Sequence, residues 1–190
     1  EKVRIPAHTI DSIVCMANTT ITSPFVEFCG RHGVSLSFHS DYGKFYGRIY
    51  GSVNGNVLLR KRQYELISSC QSVDLVRNIL YGKFANSRNI ILRVARDISD
   101  ETIKFQLKSA ADKITEQTHF LDNMMEIDSM RGIEGVVANS YFGVFDLMLK
   151  NPENEMLFCC RSRRPPLNNT NALMSFVYML LKNDVQSALE

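Results

Sequence analysis

One change of rhythm limits what this chain can fold into. Through roughly the first fifty residues the apolar positions keep switching period, and from Asn56 onward they recur at helical spacing almost without interruption. Ile10 to Cys15 reads as a short buried strand. Ser23 and Pro24 give a cap followed by proline at the first helical position, and Gly33 closes that helix about two turns later. Val34, Leu36 and Phe38 then alternate with Ser35, Ser37 and His39, the two-residue period of a half-buried strand. Asp41-Tyr42-Gly43 is a turn, Phe45 to Tyr50 a further strand, and Gly51, Asn54 and Gly55 mark a boundary. Beyond it, Leu58, Leu59, Tyr64 and Leu66-Ile67 fit a helix. Ser72 caps a long one carrying Val73, Val76, Ile79, Leu80, Phe84, Ile90-Ile91 and Val94. Ser99 caps the next, with Asp100 and Glu101 in its first turn. Another helix covers Ile133 to Leu149, and the last starts after Asn169-Thr170. Strands first and helices afterwards predict a segregated α+β fold, with a β-rich part over residues 1–52 and a helical part over 56–190.

Both ends read as cut. Glu1 opens the chain without a methionine and Val3-Arg4-Ile5 already has strand character, while Glu190 falls inside a helical pattern with neither cap nor stop signal, so a fragment is expected. A hydrophobic fraction of 45% with 22% charged residues is that of a soluble globular protein. No apolar run reaches membrane-spanning length and no signal peptide opens the chain, so no membrane partner is expected. The net charge of +2 provides no global basic field, so any nucleic-acid surface must be local. Five scattered cysteines lack metal-ligand spacing and predict reduced, mostly buried thiols in a cytoplasmic protein. The four histidines form no zinc pattern, and no nucleophile elbow or phosphate-cradling glycine loop is present.

Chemistry concentrates in the carboxy-terminal half. Glu134 stands between Gly132 and Gly135 on an otherwise apolar helix. An ionised carboxylate there needs a cation or hydrogen bonds, and each glycine costs about 1 kcal/mol against alanine. Such glycines predict that a backbone, a metal or a phosphate comes close. The alternative is a local pair with Arg131, one turn away on the same face. Arg161, Arg163 and Arg164 put three guanidinium groups within four residues, stiffened by Pro165 and Pro166. They form either a phosphate grip or a solvated basic loop. Asn168-Asn169-Thr170 offers caps for the last helix. Lys83 and Arg88 interrupt the apolar pattern of the long helix and read as solvated face, and Tyr178, among Phe176, Val177, Met179 and Leu180, reads as a core tyrosine.

In their order and spacing, Arg131–Gly135, Arg161–Pro166 and Asn171–Phe176, joined by Gly55–Lys61 and Gly82–Arg88, resemble the CRISPR-associated adaptation integrase, in the style of its type I-C branch. The likeness runs through nearly all of the chain. It implies an amino-terminal β-sandwich-like domain that dimerises, incomplete here at its start, and an all-helical catalytic domain that stops before its end. It implies a metal-dependent DNA endonuclease and integrase that inserts protospacer DNA into the repeat array by transesterification. Manganese or magnesium would be held by a glutamate, a histidine and an aspartate. Glu134 matches the glutamate, and the histidine and aspartate are expected beyond Glu190, so the chain alone is expected to be inactive. Arg131, Arg161, Arg163 and Arg164, with Lys83 and Arg88 as weaker candidates, would touch DNA phosphates, and Asn171 and Tyr178 would lie near the site. The partners implied are double-stranded DNA, a second copy in a homodimer, and the small second subunit of the adaptation complex. A non-catalytic DNA-binding or assembly module is the alternative.

Overall fold

The computed structural model describes residues 4–41, 43–52, 55–67, 69–149 and 156–189, without the side chains of 187 and 188. Its regular elements are β1 (Ser12–Met16), α1 (Ser23–Arg31), β2 (Ser35–His39), β3 (Phe45–Ile49), α2 (Val57–Ile67), α3 (Gln71–Asp97), α4 (Glu101–Phe120), α5 (Ile127–Gly143) and α6 (Asn169–Leu189). They form two compact units, one of residues 1–56 with 176–190 and one of residues 57–175. The second unit therefore ends at Ser175, short of the 56–190 span expected for the helical part.

The first unit is built on a three-stranded sheet in the order β1-β2-β3. β1 runs parallel to β2, with Ser12 opposite Ser35 and Met16 opposite His39, and β3 is antiparallel to β2. A parallel pair needs a crossover, and α1 supplies it. Pro24 sits in the first turn of α1 as expected, but Thr22 holds the cap position and Ser23 is already helical. The helix stops at Gly33, whose φ of +69° is the left-handed conformation glycine adopts without strain. Val34 N–H returns to the Cys29 carbonyl at 2.9 Å, which seals that helix end. Among the described residues this is the sheet present, and Arg4 and Ile5 lie outside any strand.

β2 departs from the half-buried strand that its alternation predicts. Leu36 is buried with Val34 and Cys29 against Ile13, Val26 and Phe38, but Ser35, Ser37 and His39 on the other face are buried too. The reason lies far along the chain. Asn183 on α6 meets His39, Nδ2 to Nε2 at 3.0 Å, and its backbone carbonyl accepts from Arg48 at 3.0 Å. The boundary glycine Gly51 is demanded by contact, since a Cβ there would stand 2.7 Å from the Gly30 carbonyl oxygen. Asn54, also read as a boundary residue, lies outside the described residues.

The second unit packs α3, α4 and α5 around one core. Leu80, Phe84, Ile91 and Ala95 come from α3, Leu107, Ala110, Ala111 and Ile114 from α4, and Met130, Ile133 and Val137 from α5. These spacings of three, four and seven residues are single helical stripes. Two expected caps differ. Asp100, not Ser99, caps α4, its Oδ1 accepting from the N–H groups of Thr102 (2.8 Å) and Ile103 (3.1 Å). Ser72 already lies inside α3 and donates back to the Ser69 carbonyl at 2.7 Å, so it satisfies the preceding turn instead of the helix start. α5 begins earlier than Ile133 and ends at Gly143, where Phe145 and Phe142 turn to pack with Phe158.

Candidate active site

Glu134 sits on α5 and its carboxylate meets the ammonium of Lys83 on α3. The two helices bring them together because Leu80 and Phe84 on α3 and Met130, Ile133 and Val137 on α5 are held in one core, which leaves the adjoining positions facing outward. The Lys83 side chain is 50% exposed and that of Glu134 is 37% exposed. Two expectations fall here. Glu134 is not a deeply buried carboxylate, and its partner is not Arg131. Arg131 turns the other way along α5 and binds Asp128 at 2.5 Å, with both side chains mostly exposed.

The glycines also behave differently from expectation. A Cβ added at Gly82, Gly132 or Gly135 would find nothing within 4 Å. None of them admits a close neighbour among the described residues. Each stands in open space, at a helix-propensity cost of about 1 kcal/mol. A pair this exposed stabilises by roughly 0–1 kcal/mol, which does not offset that cost. Folding therefore accounts for neither the pair nor its glycines.

The arginine loop divides in two. Arg161 is half-buried; its Nη1 donates to Asn171 Oδ1 at 2.8 Å and to the Ser162 carbonyl at 2.6 Å, and Ser175 Oγ lies 3.4 Å from both Nη atoms. Asn171 is fully buried, and its Oδ1 also accepts from Ser162 N–H at 3.0 Å while its Nδ2 donates to the Cys160 carbonyl at 2.8 Å. Thr170 Oγ1 donates to the Met156 carbonyl at 2.8 Å, and Asn168 Oδ1 accepts from Asn171 N–H at 2.8 Å, capping α6. The first turn of α6 thus latches the loop from 156 to 162. Arg163 and Arg164 stand outside this latch and are exposed.

The remaining predicted residues scatter. Arg88 is half-buried and its Nε donates to Thr115 Oγ1 at 2.9 Å, tying α3 to α4 where a solvated helix face was expected. Tyr178 is 53% exposed and belongs to the sheet-containing unit, so it is not the core tyrosine its neighbours suggest. Arg77, which no motif singles out, donates to the carbonyls of Leu121 (3.0 Å) and Met124 (2.6 Å) and fastens the end of α4 to α3. Its only sequence signal is an arginine three residues after Asp74, a common surface pattern. The cysteines are all free, but Cys70, Cys159 and Cys160 are exposed, against the expectation of mostly buried thiols.

Among the described residues no group of three or more His, Cys, Asp or Glu side chains could hold a metal ion. Glu134 offers one hard oxygen donor, which suits magnesium or manganese by type but does not complete a site. No described helix is long and apolar enough to cross a membrane.

Comparison with known proteins bears on all 190 residues. The family model described as "CRISPR associated protein Cas1" matches residues 1–190. The chain is 37% identical over 190 residues to CRISPR-associated endonuclease Cas1 1 of Moorella thermoacetica, covering 100% of this chain and 55% of that protein. It is 36% identical over 194 residues to CRISPR-associated endonuclease Cas1 2 of Rhodospirillum rubrum, covering 100% of this chain and 56% of that protein. The fold is similar to a solved Cas1 protein from Thermotoga maritima, with a TM-score of 0.71 and 22% identity over 96% of this chain and 55% of that one. It is also similar to a chain of a Cas6-RT-Cas1–Cas2 complex, at a TM-score of 0.65 and 20% identity over 90% of this chain and 18% of that one. The chain spans about half the length of the curated relatives it matches.

Proposed function

Because this chain belongs to the Cas1 family of CRISPR-associated proteins, we propose that the protein acts as a metal-dependent DNA endonuclease and integrase of CRISPR adaptation. The observation that carries this reading is the half-exposed Lys83–Glu134 pair that α3 and α5 bring together. A charged pair that folding does not require, set where a large ligand can reach it, is what a phosphodiester substrate needs.

Each residue then takes a role suited to its surroundings. Glu134 is one oxygen ligand of a manganese or magnesium ion, with histidine and aspartate ligands expected outside the described residues. Such an ion, when bound, polarises a phosphoryl oxygen. Lys83, already at the carboxylate, is placed to take a phosphate oxygen. Arg163, Arg164 and Arg131 are exposed and contact backbone phosphates, giving affinity without sequence readout. Arg161 and Arg88 serve by holding the loop and the α3–α4 contact, and Asn171 is the centre of the loop's latch. The reaction is transesterification, in which a protospacer 3′-hydroxyl attacks a repeat phosphodiester and a repeat 3′-hydroxyl leaves. The partners are double-stranded DNA, a second copy joined through a β-sandwich containing the sheet unit, and the small second subunit of the adaptation complex, in the cytoplasm. Type I-C is the branch proposed.

The test is manganese-dependent nicking of supercoiled plasmid and spacer integration by the full-length protein, with Glu134→Ala beside wild type. Both activities are expected to vanish while the fold persists. Wild-type activity in the variant would end the assignment. One observation favours a second reading, a non-catalytic DNA-binding or assembly module: the described residues hold no complete metal cluster. Glu134-dependent nicking would exclude that reading.

A further inference from the structure

Two adjacent thiols lie in the latched loop, and neither folding nor the proposed activity gives them a role. Cys159 and Cys160 are consecutive in the chain, free and exposed. We propose that this pair is a thiol-modification site that takes a low-molecular-weight disulfide such as oxidised glutathione and closes to a disulfide between neighbours, which unlatches the arginine loop. The consequence for DNA rests on the reading of Arg163 and Arg164 as phosphate contacts; the chemistry of the pair does not.

The step balances with one oxidant molecule. A Cys159 thiolate attacks oxidised glutathione, forming a mixed disulfide and releasing one reduced glutathione. The Cys160 thiolate then attacks the Cys159 sulfur of that mixed disulfide, expelling the second glutathione. Two protein thiols are oxidised and one disulfide bond is reduced. Its neighbour Cys159 pushes the Cys160 thiol upward.

The loop is coupled to the pair through its backbone. Consecutive Cα atoms stand about 3.8 Å apart, below the roughly 4.4 Å where ordinary disulfides begin, so the closed ring is strained and readily reduced. Closing it turns Cys160 about its backbone. That residue's carbonyl accepts from Asn171 Nδ2, and the next two residues both donate to Asn171 Oδ1. Ring closure therefore withdraws one of the latch's bonds and disturbs two more, on the segment that carries Arg163 and Arg164.

The experiment treats the chain carrying Cys70→Ser, which removes the other exposed thiol, with oxidised glutathione, and reads intact mass and the 159–160 peptide without reduction. The expected result is loss of two hydrogens in that peptide with no adduct, while Cys160→Ser, which lacks the second attacking thiol, keeps a glutathione on Cys159. A persistent glutathione adduct without ring closure overturns the proposal. Trypsin cleavage after Arg161 and Arg163 should then run several-fold faster in the oxidised chain, return to its starting rate with dithiothreitol, and stay unchanged in Cys159→Ser. A closed ring with unaltered cleavage overturns the coupling to the loop. Duplex-DNA affinity of the full-length protein should fall several-fold with oxidation. If neutralising Arg163 and Arg164 leaves that affinity untouched, the phosphate reading fails, while the mass and trypsin results still decide the thiol site.

Discussion

Two charged groups on this chain look alike in the sequence and sit in opposite surroundings. Glu134 meets one flexible ammonium at an exposed surface with no side chain on the glycines beside it. Arg161 is half-buried, and its guanidinium is tied to the Ser162 carbonyl, Asn171 and Ser175. Removing Glu134 leaves a lysine that water can solvate. Removing a member of the latch strands donors and acceptors that water reaches poorly, and buried unmet polar groups are costly. The difference separates a group kept for what it can bind from a group kept for what it holds.

The largest effect should come from Asn171→Ala. It deprives Arg161, Ser162 N–H and the Cys160 carbonyl of their partner at a fully buried position, at a cost of about 3 kcal/mol or more. Urea unfolding measures it, and a loss below about 1 kcal/mol would show that the latch is ornamental. Next comes a split inside the arginine run. Arg161→Lys keeps the charge but loses the planar fork and should destabilise by about 1–2 kcal/mol. Arg163→Ala with Arg164→Ala should leave stability within about 0.5 kcal/mol. On the full-length protein the double variant should flatten the dependence of log DNA affinity on log salt by roughly 0.9 for each phosphate no longer neutralised. Anisotropy titration of a fluorescent duplex reads that slope. An equal effect of all three arginines on both quantities would erase the distinction.

Smaller still, and opposite in sign, is Gly135→Ala. The added Cβ meets nothing within 4 Å, so helix propensity alone should stabilise the chain by about 0.5–1 kcal/mol in thermal or urea unfolding. The same variant should lower DNA affinity in the full-length protein by putting a methyl group where the backbone is to approach. A variant that is more stable and binds DNA equally well would leave Gly135 without a role in binding.

Much of the scaffold is legible from period alone. α3 follows from the recurrence of Val73, Leu80, Phe84, Ile91 and Val94, and β2 from the alternation that starts at Val34, because both patterns are local. The burial of the polar face of β2 is not legible in that pattern, because its cover, Asn183, lies 144 positions from His39. The Arg161–Pro166 run is visible as a unit, but composition has no means to tell three guanidinium groups apart when one is claimed by an asparagine ten residues later. Glu134 stands out as a solitary carboxylate among glycines. Its partner, Lys83, is 51 residues away and comes close only once α3 and α5 share a core. Local pattern shows which residues are unusual, and only the packing shows which of them touch.

The smallest expected effect bears most directly on the claim that Glu134 serves binding and not folding. It is the coupling energy between Lys83 and Glu134, taken from urea unfolding of Lys83→Met, Glu134→Gln and the double variant against wild type. A pair this exposed should give a coupling below about 1 kcal/mol, with each single variant near wild-type stability. A coupling of about 3 kcal/mol, of the size a buried pair shows when one partner is removed, would make the pair a structural element and contradict the account.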